Sequence, residues 1–236
     1  MELSDEEIIQ RANEFARKNK KKIAKELTDP SIFFPDEFPV SVFMAGSPGA
    51  GKTESSRNLI EKLTKDKHLV LRIDPDELRS KFIDYNGKNS HLFIAATSII
   101  ADKMQDSALI NRQSFVFDGT LSNLEASRKN IQRSLNKNRF VQIVYVYQDA
   151  QQAWNFVKAR ELKDGRKIPV EAFIEAYFLA RKNVNILKGN FGKDIRVDII
   201  VKNIDGTDFS YRENIDIVDN YIQEKYTEDT LKKLII

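Results

Sequence analysis

Gly46-Ser47-Pro48-Gly49-Ala50-Gly51-Lys52-Thr53 follows the pattern G-x-x-x-x-G-K-[ST], a glycine-rich loop that cradles phosphate groups. The residues before it, 40–45, form a short apolar run that predicts a buried strand. Apolar residues after the loop recur at helical spacing: Leu59, Ile60 and Leu63. Strand, glycine loop and helix together turn backbone N–H groups and the positive end of a helix toward an anion.

This loop predicts that the protein binds a nucleoside triphosphate. Its glycines allow backbone dihedrals that a Cβ would forbid, and they leave room for phosphates. Lys52 is expected to reach the β- and γ-phosphates, and the Thr53 hydroxyl is expected to bind Mg²⁺. A glycine-rich turn that binds nothing is the alternative, and the correct flanking elements argue against it. The candidate nucleotide-binding residues are Gly46, Ser47, Pro48, Gly49, Ala50, Gly51, Lys52 and Thr53.

The composition bounds the class of protein. The 236 residues suit one α/β domain, and 41% hydrophobic with 31% charged residues argues against disorder. A net charge of +3 is too small to indicate a nucleic-acid partner. The absence of cysteine excludes disulfides and thiolate metal sites, and two histidines exclude a histidine-rich metal site. With no apolar run near the ~20 residues of a membrane helix and no secretory signal, we expect a cytoplasmic protein without membrane contact.

The chain is expected to form a single domain over residues 1–236. Residues 1–39 are predicted to be a capped helix followed by a proline-containing connector, and residues 205–236 a turn followed by a helical extension. The basic run at residues 18–22 is interpreted as a solvated helix face rather than a nucleic-acid or membrane contact.

Further apolar runs predict strands that alternate with helices, at residues 68–73, 114–117, 140–147 and 195–201. A long helix is expected at 90–110. This alternation predicts an α/β, P-loop kinase-like fold with a mostly parallel sheet covered by helices on both faces. Two of the strands end in acids, at Asp74-Pro75-Asp76 and at Asp118-Gly119-Thr120. Ligands bind beyond the carboxyl ends of such strands, so these acids should lie near the phosphate loop; Asp74 itself is interpreted as a helix cap.

Two arginines flank a predicted lid. Arg160 follows Val157 by three residues, which would place it on the inward face of a helix. Residues 163–169 form a short basic turn with Gly165 as a hinge, which is typical of a lid. Arg166 is therefore expected to be mobile and solvated until the lid closes.

The motifs favour a kinase over a motor or switch NTPase. No apolar strand ends in Asp-Glu, and Asn136-Lys137-Asn138-Arg139 lacks the final Asp of a guanine-binding motif. Isolated acids at strand ends and two arginines beside a turn suit phosphoryl transfer. That reaction needs positioning, Mg²⁺, cations on the migrating group and a carboxylate to accept a proton.

With these motifs in this order, the chain resembles the zeta toxin family of bacterial toxin–antitoxin systems, from the first helix to the strand near Val201. Zeta toxins are P-loop kinases that phosphorylate UDP-N-acetylglucosamine and so block the synthesis of peptidoglycan precursors. The resemblance implies ATP and Mg²⁺ as cofactors, a UDP-sugar as substrate, and an antitoxin protein as partner.

The resemblance also implies roles for particular residues. Ile73-Asp74-Pro75-Asp76 is similar to the family's Ile-Asp-x-Asp, whose second acid is the catalytic base, so Asp76 takes that role. Asp118-Gly119-Thr120 resembles the acid-Gly-Thr that contacts the sugar nucleotide, and Asp102 matches a substrate-binding acid on the long helix. Arg160 and Arg166 match the two phosphate-clamping arginines, which act with Lys52. A member of the family has Glu at the positions that match 102 and 118, so both carboxylates are one methylene shorter here, which bears on the identity of the sugar.

Two alternatives remain. One is a P-loop kinase for another small molecule, resembling chloramphenicol phosphotransferase, since single contacts can change the acceptor. The other is a non-catalytic nucleotide-binding partner protein. Retention of Lys52, Asp76 and both arginines argues against the second.

Overall fold

A six-stranded sheet forms the centre of the computed structural model, which describes residues 3–64 and 69–236. The strands are β1 (Val40–Ala45), β2 (Leu71–Ile73), β3 (Phe115–Phe117), β4 (Phe140–Tyr147), β5 (Ile195–Lys202) and β6 (Asp208–Arg212). The α-helices are α1 (Asp5–Leu27), α2 (Lys52–Leu63), α3 (Ile94–Ile110), α4 (Leu124–Leu135), α5 (Ala150–Asp164), α6 (Val170–Phe191) and α7 (Glu228–Ile235). Short 3-10 turns lie at Glu77–Lys81, Ser90–Phe93, Gly192–Asp194 and Val218–Asn220.

The sheet order is β2-β3-β1-β4-β5-β6. The first five strands in this order are parallel, and β6 pairs antiparallel with β5. Because β1 lies between β3 and β4, the loop that follows β1 emerges near the middle of the sheet. The carboxyl ends of all five parallel strands therefore meet at the edge where that loop lies.

Both faces of the sheet are buried, as the continuous apolar runs predict. Along β1, Phe43 packs into the larger core and Val42 and Met44 into the smaller one on the other face. The larger core also contains buried residues of α1, α3, α4, α5, α6 and α7, whereas Leu59 and Ile60 of α2 pack against the smaller one. The predicted α/β fold with a mostly parallel, two-sided sheet is confirmed.

The predicted element bounds need small corrections. The run at 140–147 coincides with β4, and the run at 195–201 gains one residue, Lys202. The strand expected at 68–73 is observed as Leu71–Ile73, and His68 lies outside the described residues. The helix expected at 90–110 begins as the 3-10 turn Ser90–Phe93 and becomes α-helical at Ile94.

The C-terminal region differs from the helical extension that was expected over residues 205–236. The turn is present, with Gly206 at φ +87°, but it leads into the strand β6 before α7. This strand was missed because it is five residues long and mostly exposed, so apolar alternation is weak. Arg181 of α6 then holds the connection between β6 and α7 through ion pairs with Asp219 and Glu224.

None of the helices in the described part of the chain is long and apolar enough to cross a membrane.

Candidate active site

The loop between β1 and α2 is shaped by its glycines. Gly46, Gly49 and Gly51 all have positive φ, at +141°, +74° and +87°. A Cβ on Gly46 would lie 2.3 Å from the carbonyl oxygen of Val146, and one on Gly49 would lie 2.1 Å from that of Ala153. These two glycines are therefore required by the close approach of the loop to β4 and α5, in addition to any ligand.

The same loop leaves the start of α2 free to receive an anion. Gly51 is the N-cap residue and offers no side chain to bond the first N–H groups of the helix. The N-terminal N–H groups of a helix are unsatisfied within the helix and attract negative charge. Thr53, the second residue of α2, is partly exposed beside them.

Lys52 folds back over the loop. Its Nζ donates hydrogen bonds to the carbonyl oxygens of Gly46 (3.0 Å) and Ser47 (2.7 Å). Burial lowers the pKa of Lys52, and the charges of Asp118 and Asp76 partly offset that effect. Lys52, Asp76 and Asp118 therefore lie close enough to interact through their charges. This is expected, because the carboxyl ends of the parallel strands lie at one edge of the sheet.

Arg72, on β2, organises the acids at the ends of β2 and β3. Its guanidinium donates to Asp74 (2.6 Å) and to Asp118 (2.5 Å), and it also bonds Glu77. Asp118 accepts a second bond from the Ser56 hydroxyl of α2 (3.0 Å). One arginine therefore links two buried carboxylates and the helix that follows the phosphate loop.

Asp74 does not cap the turn that follows it, so that expectation is wrong: Asp76 is the N-cap residue of Glu77–Lys81 and no side chain caps the turn. The Asp74 carboxylate instead accepts the backbone N–H of Asp76 at 2.8 Å and pairs with Arg72. Burial, followed by the charges of Asp76 and Asp118, raises the pKa of Asp74 to about 6, although Arg72 opposes the shift. Asp74 is thus a buried acid that titrates well above its ordinary range.

Asp76 lies at the mouth of this cluster with its side chain 41% exposed. Arg166 donates to its Oδ2 at 2.7 Å, and Arg79 is ion-paired with its Oδ1 at 2.7 Å. The expectation that Arg166 is solvated in the free protein is wrong, because its side chain is 16% exposed and engaged with Asp76. The turn that carries it does begin at a glycine, Gly165, with φ +71°.

Arg160 is exposed, so the expectation that it lies on the inward face of α5 is wrong. Val157 is the last buried residue of that helix, and Arg160 falls beyond the part that the core covers. Within residues 3–64 and 69–236, no hydrogen bond or ion pair engages its side chain. Its charge nevertheless lies close enough to lower the pKa of Lys52, which puts Arg160 on the side of the phosphate loop.

Thr120 lies next to the phosphate loop and Asp102 does not join the cluster. The Thr120 carbonyl accepts the N–H of Gly46 at 3.3 Å, and its hydroxyl is paired with that of Ser122. Asp102, on α3, pairs with Arg133 of α4 at 2.6 Å. Among the described residues, no hydrogen bond or ion pair links Asp102 to Asp76, Asp118 or the loop.

Three basic residues of this edge were not identified from the sequence. Arg72 was detectable as a charge inside an apolar strand, and Arg79 as a cation three residues after Asp76. Lys202, at the end of β5, pairs with Asp208 at 2.6 Å, and its Cε lies 3.0 Å from where a Cβ of Gly51 would be. That contact brings β5 against the phosphate loop and could not be read from spacing.

The donor set suits a magnesium ion only in part. The described residues contain no group of three or more Asp, Glu or His side chains that could hold a metal. Mg²⁺ is commonly held by one or two protein oxygens together with substrate phosphates and waters rather than by a protein cage. The Thr53 hydroxyl and the nearby carboxylates fit that second arrangement.

Comparison with known proteins gives a family and a fold. A sequence model of the family described as zeta toxin matches residues 23–216. A search of curated proteins found no match. A structure from the PezAT chromosomal toxin–antitoxin system of the human pathogen Streptococcus pneumoniae superposes with a TM-score of 0.63 at 14% identity, covering 94% of this chain and 87% of that one.

A second similar protein is AvrRxo1-ORF1:-ORF2. Its native complex superposes with a TM-score of 0.59 at 16% identity, covering 93% of this chain and 72% of that one. The structure described as containing ATP gives 0.57 at 17% identity, with 87% of this chain and 65% of that chain covered. At these identities the likeness establishes the P-loop kinase-like fold, which by itself does not assign an activity.

Substitution of Gly49 by alanine should disrupt the phosphate loop. The new Cβ meets the Ala153 carbonyl and the positive φ is strained, which costs about 1–3 kcal/mol from the backbone alone. Chemical unfolding and ATP titration by calorimetry should show reduced stability and weakened ATP binding. Gly189→Ala is the matched control, because that helical position has open space and should gain about 1 kcal/mol. Equal behaviour of the two variants would contradict this account of the loop.

Asp74→Asn should change how stability depends on pH. A folded-state pKa of about 6, raised from 3.8, means that ionising Asp74 above that range opposes folding. The free energy of unfolding of Asp74→Asn minus that of the wild type should therefore rise between about pH 4 and pH 6 and stay flat above. The rise should be on the order of 2–3 kcal/mol. Asp216→Asn, at an exposed position, is the control substitution. A difference that falls as the pH rises would show that the pKa of Asp74 is not raised in the folded protein.

Proposed function

Because the chain belongs to the zeta toxin family, we propose that it is an ATP-dependent kinase that phosphorylates a hydroxyl of UDP-N-acetylglucosamine. The product would withdraw a precursor from cell-wall synthesis, so the protein would act as a bacterial toxin in the cytoplasm. The observation that carries this proposal is the partly exposed Asp76 carboxylate. It accepts a hydrogen bond from Arg166, and its charge raises the pKa of Lys52.

ATP would occupy the phosphate loop, residues 46–53. The uncapped N–H groups of α2 and the glycine backbone would bond the phosphates, and Lys52 would exchange its two carbonyl partners for phosphate oxygens. Until ATP binds, the two carbonyl oxygens satisfy the ammonium group of Lys52. Thr53 would hold Mg²⁺, which when bound supplies positive charge to the phosphate oxygens.

Asp76 would serve as the general base. The acceptor hydroxyl gives its proton to the carboxylate while its oxygen forms a bond to the γ-phosphorus, and the bond from that phosphorus to the β,γ-bridging oxygen breaks to release ADP. Asp76 lies at the mouth of the acid cluster and is more exposed than Asp74 and Asp118. That exposure supports its assignment as the acid that meets the acceptor.

Arg160 and Arg166 would neutralise the migrating phosphoryl group. Guanidinium forks match phosphate oxygens and strengthen as charge develops in the transition state. Arg160 is exposed and unengaged within the described residues, so it can turn toward a ligand without breaking a bond. Arg166 would first have to leave Asp76, which at the same time frees the base.

Asp118, Thr120 and Asp102 would border the acceptor. Thr120 adjoins the phosphate loop, and the ties of Asp118 to Arg72 and Ser56 would fix the loop on which both residues lie. Asp102 would reach a sugar only after its pair with Arg133 opens, and its inclusion rests on the family resemblance.

An antitoxin protein is the partner that we propose. The similar structures come from a system described as toxin–antitoxin and from a two-protein complex. We propose no nucleic-acid or membrane partner.

Incubation of the protein with ATP, Mg²⁺ and UDP-N-acetylglucosamine should yield ADP and a phosphorylated UDP-sugar, detected by mass spectrometry. Lys52→Ala should abolish the product, and Asp76→Asn should lower kcat about 10²–10⁴-fold, as expected for loss of a general base. Asp216→Asn is the control at an exposed acid.

Expression of the wild type in a bacterium should arrest growth, whereas Asp76→Asn should be harmless.

Two results would contradict the proposal. Turnover of another small molecule in a cell extract, without turnover of the UDP-sugar, would indicate an antibiotic-phosphotransferase-like kinase. ATP binding with no phosphorylated product from any acceptor would indicate a non-catalytic partner protein.

Arg166→Ala should lower kcat by roughly 10²–10³-fold, because a phosphoryl-clamping arginine acts mainly in the transition state. ATP affinity should barely change, since the free arginine is engaged with Asp76 rather than held ready for ATP. Single-turnover kinetics at saturating ATP and acceptor measure the effect, with Arg128→Ala at an exposed helix pair as control. An unchanged rate would leave Arg160 as the clamp.

A further inference from the structure

The carboxylate of Asp76 is held by two arginines, one on each oxygen. Arg79 pairs with Oδ1 and Arg166 donates to Oδ2, both at 2.7 Å. Each oxygen keeps a second lone pair, so the two pairs orient the carboxylate without blocking it. The lone pair that Arg166 occupies on Oδ2 becomes available to an acceptor when that pair opens.

The two arginines are anchored very differently. Arg79 lies in the 3-10 turn Glu77–Lys81, which begins beside Asp76 and is fixed by Leu78, a buried residue of the core. Arg166 follows Gly165, a left-handed residue with no atom within 4 Å of where its Cβ would be, in the connection between α5 and α6. The local pair with Arg79 is therefore the one that can persist when the connection moves.

Arg79 is also an unusual residue to bury. Its side chain is 11% exposed, and its Nε is buried without a hydrogen-bond partner among the described residues. Burial lowers the pKa of Arg79, and Asp76 supplies the largest opposing charge. A buried guanidinium with an unsatisfied N–H is weak evidence for a stability role, because desolvation of the charge offsets the attraction.

We infer that Arg79 is a positioning residue for Asp76: it holds Oδ1 throughout the reaction, so that Oδ2 faces the acceptor when Arg166 turns to the phosphoryl group. This inference rests on the proposed function. The acceptor proton moves to Oδ2, the new oxygen–phosphorus bond forms and ADP departs with its oxygen. Arg79 touches neither the acceptor nor the nucleotide and acts through Asp76 alone.

The test compares Arg79→Met and Arg79→Lys with UDP-N-acetylglucosamine as acceptor. Arg79→Met should lower kcat roughly 10–100-fold with the KM for ATP unchanged, because the lost interaction serves the chemical step. Arg79→Lys should recover part of the rate, since an ammonium can hold one oxygen without the fork. Arg57→Met is the matched control, an exposed arginine whose long 4.0 Å pair with Glu77 lies in the same region.

A double-mutant cycle separates positioning from general damage. If Arg79 acts through Asp76, adding Arg79→Met to Asp76→Asn should cause no further loss of kcat. Thermal unfolding of each variant checks the fold; if Arg79→Met fails to fold, the cycle is run with Arg79→Lys.

Two outcomes would overturn the inference: an unchanged kcat in Arg79→Met, with or without a raised KM for ATP, or a full extra loss in the Asp76→Asn background. Equal turnover by the wild type and Asp76→Asn would instead overturn the proposed function. The two failures are thereby distinguished.

Discussion

The close approach of the phosphate loop to two carbonyl groups governs the arrangement of the site. The backbone at Gly46 and Gly49 lies against the ends of β4 and α5, at distances that exclude any side chain. This packing fixes where α2 begins and therefore where its N-terminal N–H groups point. The order of the parallel strands then brings the acids that follow β2 and β3 to the same edge.

Several of the charged side chains at that edge already have partners. Lys52 is bonded to loop carbonyls, Arg72 joins Asp74 to Asp118, and Arg166 joins Asp76. On the proposed function, a triphosphate would bring several negative charges into this set, so its binding would exchange the partners of Lys52 and Arg166. Exchange of this kind would link nucleotide binding to the release of Asp76.

The sequence predicted the sheet and the loop because both are encoded locally, by apolar runs and by a fixed glycine spacing. It did not predict the partners of the charged residues. Arg72 and Arg79 acquire their positions from acids brought together by the fold, and Arg166 finds Asp76 across 90 positions of sequence. The prediction for Arg160 assumed that the buried face of α5 continues past Val157. The helix does continue, but the core does not cover that part of it. The strand β6 was not predicted because its pairing with β5, rather than an apolar pattern, defines it.

On the proposed function, Arg166 leaves Asp76 Oδ2 when both substrates bind, while Arg79 stays on Oδ1. A crystal structure with a non-hydrolysable ATP analogue and UDP-N-acetylglucosamine shows whether this exchange occurs. We expect Arg166 on the γ-phosphate, Arg79 on Oδ1, and Oδ2 about 2.6–3.2 Å from a sugar hydroxyl. An Arg166–Asp76 pair that stays intact with both ligands bound would rule the exchange out.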